Sequence, residues 1–141
     1  RRRERPHPFR MSLYFLDEGL RKLRQVGAAL DPSGFSAVRY LWRGMHRMRL
    51  DESFIRLGGT ELAPMSTTTD KAVALKYAGA ESPLVFKYKT RGLGRGVSIR
   101  YLSVYPREEE YLYPPLTFLQ PEGKPKVARG VTVVEVTPQM S

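Results

Sequence analysis

In the stretch Pro106-Arg107-Glu108-Glu109-Glu110-Tyr111-Leu112-Tyr113-Pro114-Pro115, three carboxylates stand in a row between prolines. If the run into Tyr111 and Leu112 is extended, side chains alternate between faces, so Glu108 and Glu110 share one face and Glu109 takes the other. Two carboxylates then point into one site. Such a pair can stabilise a cationic transition state with one member and orient a nucleophile with the other. The plainer reading is a solvated acidic turn, and the rest of the chain has to decide between them.

At 141 residues and 41% hydrophobic content the chain reads as one domain with a real core. The absence of cysteine excludes disulfides, zinc–thiolate sites and a Cys nucleophile, and fits a reducing compartment. His7 and His46 are too few and too isolated for a histidine metal site, so no metal is expected. No apolar run reaches the length of a membrane span, and no apolar leader follows the first arginines. The sequence starts at Arg1 rather than Met, which leaves localisation open between the cytoplasm and a fragment of a longer effector.

The net charge of +10 raises a second class of function, a basic module for nucleic acid or another anionic surface. Its distribution argues against nucleic acid. Residues 1–10 hold five Arg and one Glu, so +4 of the +10 sits in what reads as a flexible basic arm, leaving residues 11–141 as a single domain without a dense basic helix.

Leu16, Leu20, Leu23 and Leu30 recur at spacings of four, three and seven, the stripe of an amphipathic helix with its leucines in the core, broken at Asp31-Pro32-Ser33-Gly34. Residues 37–43 read as a strand ending at Gly44, with Arg39, Leu41 and Arg43 on one face and Val38, Tyr40 and Trp42 on the other; Gly44 would let a ligand approach the backbone. Residues 51–57 suit a short helix closed by Gly58-Gly59. Residues 60–67 suit a strand, bent or at a sheet edge because of Pro64, ending in Ser66-Thr67-Thr68-Thr69. Asp70 opens a helix that Gly79 stops, and hydroxyls at such a junction commonly serve as caps.

Residues 84–90 form a clear strand, the glycine-rich 91–96 a connection rather than a dinucleotide fingerprint, and 97–99 a short strand. Residues 116–119 can resume the strand interrupted by Pro114-Pro115, and 127–137 close the chain as a last core strand. Short strands interspersed with a few helices indicate an α+β fold.

Three polar features now stand in order on three strand ends: Tyr40-Leu41-Trp42-Arg43-Gly44, Ser66-Thr67-Thr68, and Glu108-Glu109-Glu110-Tyr111-Leu112. Together, over residues 37–119, they resemble the R-S-E class of mono-ADP-ribosyltransferases, the arginine-specific group with a Glu-x-Glu motif. The resemblance implies an ADP-ribosyltransferase-like fold, two small β-sheets forming an NAD cleft with flanking helices. It implies NAD as co-substrate, a protein acceptor arginine and a monomer. Arg43 would meet the NAD phosphates and the Gly44 backbone the nicotinamide amide. Ser66 would contact the ribose and hold Glu110, with Thr67 and Thr68 supporting the turn.

By the same resemblance Glu110 would stabilise an oxocarbenium-like ribose as nicotinamide leaves. Glu108 would orient the acceptor guanidinium and take its proton; relatives that modify Asn typically carry Gln there. Tyr105 would belong to the acceptor-recognition loop or simply pack, and Tyr77, eleven residues after Ser66, would stack on nicotinamide or lie in helix core. Trp42 stands where many relatives carry Tyr and suggests packing, and the usual Ser-Thr-Ser reads Ser-Thr-Thr here. Water in place of the acceptor would make the protein an NAD glycohydrolase.

Overall fold

A computed structural model describes residues 9–140. Most of the basic arm therefore lies outside the described residues, and Arg10 already belongs to the first helix, α1 (Arg10–Leu30). Along α1 only Leu20 is buried; Leu16 and Leu23 are partly exposed and Leu30 is 80% exposed. The expected leucine core stripe is thus corrected to one residue. The cause is the partner: α1 lies against a two-residue edge strand, β5 (Val97–Ser98), too short to cover a four-leucine face. The expected break at Asp31 starts a second helix, α2 (Pro32–Ser36), with Pro32 in its first turn and the Asp31 carboxylate accepting from the Gly34 amide at 2.9 Å.

The first long strand, β1 (Arg39–Met45), begins two residues later than read and runs through Gly44. Helix α3 (Glu52–Leu57) has Asp51 as its cap, accepting from the Ser53 amide, and Gly58 at φ 75° as its stop. The bent strand expected over 60–67 is instead two strands, β2 (Gly59–Glu61) and β3 (Met65–Thr68), in different parts of the sheet. Pro64 has no N–H to carry a ladder across the junction. Helix α4 (Lys71–Ala78) runs from Asp70 to Gly79 as read, followed by β4 (Leu84–Thr90).

After a single-turn 3₁₀ segment at Gly92–Arg95 and β5 come β6 (Glu110–Tyr113) and β7 (Thr117–Pro121). The last apolar run is a hairpin rather than one strand, β8 (Lys126–Ala128) and β9 (Val131–Gln139). Its two central residues, Arg129 and Gly130, have φ of 52° and 76°, the backbone of a tight primed turn.

The strands follow the order β2-β7-β9-β4-β1-β3-β6-β5, with β8 added on β9. Among the described strands only β4 and β9 pair in parallel, so the α+β class holds and no regular βαβ series is seen there. Seven residue pairs join β1 to β4, but a single pair, Trp42 with Thr68, joins β1 to β3. The two expected sheets are therefore two halves hinged on one bridge. Continuing that antiparallel register would set Arg43 opposite Thr67 and Gly44 opposite Ser66, yet no further pair forms, and the strands splay.

One core cluster spans both halves, with Leu41, Tyr88, Val134 and Val136 from one side and Met65 and Tyr113 from the other, the Tyr88 and Tyr113 rings stacked at 5.7 Å. Gly44 has a structural duty here. A Cβ there would overlap the Ala74 carbonyl oxygen and sit 2.6 Å from the Ala78 amide nitrogen. The space anticipated for a ligand on that side of Gly44 is taken by α4.

Candidate active site

Where β1 and β3 part, a cleft of about 400 Å³ opens, walled by β1, β3, α4 and the end of the acidic stretch. It gathers Arg43, Gly44, Ser66, Thr67, Thr68, Tyr77, Glu108 and Glu110, eight of the nine site residues read from the sequence. Tyr105 is not among the lining residues; it is 62% exposed and caps the short 3₁₀ turn Pro106–Glu108.

The acidic stretch takes a shape the alternation argument did not foresee. Glu108 ends the 3₁₀ turn, Glu109 is left-handed at φ 45° and ψ 58°, and the strand begins only at Glu110. Glu108 and Glu110 still line the same cleft, but a turn brings them together rather than a pleat.

The hydroxyl run explains how that turn is held. Ser66 Oγ donates to Glu110 Oε1 at 2.8 Å, Thr67 Oγ1 to the Tyr111 carbonyl at 2.8 Å, Thr68 Oγ1 to the Glu108 carbonyl at 2.6 Å, and Thr69 Oγ1 to Glu109 Oε2 at 2.8 Å. Four consecutive residues thus fasten four consecutive residues. Only Thr68 also serves the helix start, accepting from the Asp70 amide at 3.1 Å. Glu109 is exposed but tied to Thr69, which holds its left-handed backbone.

Glu110 has a second clamp that sequence reasoning missed. Ser103 Oγ donates to Glu110 Oε2 at 2.6 Å and itself accepts from the Tyr105 amide at 3.0 Å. A lone serine in an irregular loop carries no pattern that would reveal it. His46, one residue past the end of β1, also lines the cleft, and continuing the alternation of Trp42 and Gly44 could have found it. Trp42 does pack, against the group of Ala74, Ala78 and Val85, but it lines the cleft as well, with Lys71 Nζ 5.1 Å from its ring centre.

Arg43 is half-buried between the cleft and an apolar recess of about 200 Å³ behind it. Its Nη1 is buried without a hydrogen-bond partner. Tyr88 beside it is fully buried; desolvation pushes its phenol up to about 12, with Arg43 pulling the other way. The cleft thus gathers Arg43, a carboxylate held on both oxygens, a second carboxylate, and the Tyr77 ring, 57% exposed on α4. Among the described residues no group of His, Asp or Glu could hold a metal ion, and no helix is long and apolar enough to cross a membrane.

This arrangement on a hinged α+β sheet defines the ADP-ribosyltransferase fold class. A family model for NAD:arginine ADP-ribosyltransferase matches residues 3–134, and the chain belongs to that family. No curated protein matches significantly. Among solved structures, the ADP-ribosyltransferase HopU1 of Pseudomonas syringae pv. tomato DC3000 aligns with a TM-score of 0.71 at 22% identity, over 95% of this chain and 56% of its own. C3stau2 from S. aureus, solved with NAD, gives 0.58 at 15% identity, over 92% and 75%. The Vis toxin of Vibrio splendidus gives 0.56 at 18% identity, over 99% and 64%. At these identities the likeness is one of fold. The chain spans between half and two thirds of the length of several of these structures.

Proposed function

We propose that the protein is a mono-ADP-ribosyltransferase that moves ADP-ribose from NAD to a protein arginine and releases nicotinamide. One observation carries the reading: Glu110 is held on both carboxylate oxygens, by Ser66 and Ser103, in the same cleft as Arg43, whose Nη1 has no hydrogen-bond partner.

The residues fit an anionic dinucleotide. Arg43 has a buried N–H with no internal acceptor, and a guanidinium fork suits phosphate oxygens. Each Glu110 oxygen keeps acceptor capacity after its one serine bond, enough for a ribose hydroxyl. Tyr77 offers a free ring face to nicotinamide.

In the reaction, the bond between nicotinamide nitrogen and ribose carbon breaks, and its electron pair leaves with neutral nicotinamide. Positive charge develops on the ribose, as in glycoside hydrolysis. A carboxylate fixed in advance stabilises that charge without reorganising during the step. An acceptor guanidinium nitrogen then bonds to the same carbon, and its proton passes to Glu108, which shares the cleft.

The Vis toxin has been solved with agmatine, an arginine analogue suited to testing the acceptor here. With NAD and agmatine, the protein should release nicotinamide and form ADP-ribosyl-agmatine. Nicotinamide release with no adduct would instead make water the acceptor and the protein an NAD glycohydrolase.

A further inference from the structure

A second groove, of about 430 Å³, lies between α1, α2 and the β5–β6 edge. It is on the opposite face of β6 from the cleft, since Tyr111 lines the groove and its neighbour Glu110 the cleft. Four arginines line it, Arg24, Arg39, Arg95 and Arg100, against one acidic residue, Asp31. That carboxylate is already engaged with the Gly34 amide at 2.9 Å and the Ser33 hydroxyl at 3.3 Å.

Arg95 is only 6% exposed. Its Nη2 holds the carbonyls of Gly34, Phe35 and Ala37, while its Nε is buried with no partner. Arg24 repeats the pattern, with Nη1 against Met140 Sδ and Nε buried and unpartnered. Burial and the nearby Arg39 hold the Arg95 pKa below its ordinary value. Buried cationic N–H groups without an acceptor are costly. Among the described residues lining this groove, Asp31 is the one acidic side chain.

The other wall is apolar and unusually open, with Val26 on α1, Leu30 at 80% exposure and Tyr101 at 96%. The geometry points to a second anion site, separate from the NAD cleft, that takes an organic phosphate. Its phosphate sits among the arginines and its apolar or aromatic body lies on the Val26, Leu30 and Tyr101 wall. A phosphate suits the site better than a carboxylate because four arginines line the groove with one engaged acidic residue, and a dianion balances more of that charge. Arg100 and Tyr101 also belong to the turn in which the Leu102 and Ser103 amides return to the Ile99 carbonyl, at 2.8 and 2.9 Å. A ligand in the groove therefore touches the turn that carries Ser103 to Glu110.

Calorimetric titration at low salt tests the site with phenyl phosphate and inorganic phosphate as probes. Phenyl phosphate should bind about tenfold more tightly than inorganic phosphate, the worth of partly burying one ring. Arg39 and Arg100 are exposed, so the Arg39→Gln/Arg100→Gln double variant should fold, and should bind phenyl phosphate at least about tenfold more weakly. Arg43→Gln, altered in the cleft and the recess behind it, should leave binding of phenyl phosphate in the groove in place. The assignment is overturned if no saturable binding occurs, if the two probes bind equally, or if Arg43→Gln removes binding while the double variant keeps it.

Discussion

Removing the Ser103 hydroxyl tests the clamp on Glu110 most sharply, because this contact has no counterpart in the sequence pattern. Ser103→Ala deletes a 2.6 Å donor to a carboxylate that retains its other bond, from Ser66 at 2.8 Å. Hydrogen bonds to charged groups contribute about 1.5–3 kcal/mol. Glu110 is half-buried, so water replaces part of the loss, and the low end applies. About 1.5 kcal/mol corresponds to roughly tenfold in rate. The Tyr105 amide also loses its acceptor, but Tyr105 is exposed and water can serve it. Folding stability should therefore change by less than about 1 kcal/mol.

The assay is nicotinamide release under single-turnover conditions, run beside a denaturant melt. Ser66→Ala should behave similarly. The double variant should fall short of the product of the two, since both hydroxyls act on one carboxylate. Ser103→Ala turnover within twofold of wild type would refute the clamp, and a large loss of stability would make Ser103 a structural residue instead.

Glu108→Gln should abolish agmatine modification while sparing most nicotinamide release, since only the acceptor side needs its proton-accepting oxygen; chromatography of the two products separates the cases. Leu20→Ala should cost about 2–4 kcal/mol in a urea melt because Leu20 is the one buried apolar anchor of α1, whereas Leu30→Ala should cost under about 0.5 kcal/mol. The buried Tyr88 phenol, raised from 10.0 to about 12, stays protonated in the fold where the unfolded chain would lose its proton. Stability from this residue is intact below pH 10 and should fall as pH rises toward 12, with Tyr88→Phe flattening the curve in a pH series of melts.

The parts of this fold legible in the sequence are those decided by neighbouring residues. Asp51 and Asp70 cap the helices they precede and Gly58 and Gly79 end them, because each choice is made within one turn. The β4 strand matches its reading at Leu84–Thr90, since a bounded run rich in β-branched and aromatic residues has few alternatives. Readings that depended on distant partners fared worse. The α1 leucines have helical spacing, but spacing does not say what covers them, and the two-residue β5 covers one. Residues 127–137 look like one strand because Arg129-Gly130 interrupts valines on both sides without a strong turn signal.

The candidate site divides in the same way. Arg43, Ser66, Glu108 and Glu110 were legible as a set, through their order along the chain. The reason offered for Glu108 and Glu110 facing together, strand alternation, gave the right pairing from the wrong backbone. The hydroxyl run was legible as polar but not as a row fastened to residues 108–111, because those bonds span 40 to 44 positions. The splay of β1 from β3 that makes the cleft is a property of where pairing stops, which no local pattern encodes.

The most direct measurement is nicotinamide release from NAD by the wild type and by Glu110→Ala, with both proteins shown to be folded. The wild type should release nicotinamide, and Glu110→Ala should lose at least about a hundredfold in rate, the scale on which removing a preorganised electrostatic group is felt. A folded wild type that releases no nicotinamide, or a Glu110→Ala variant that releases it at an undiminished rate, would contradict the proposed role of this cleft.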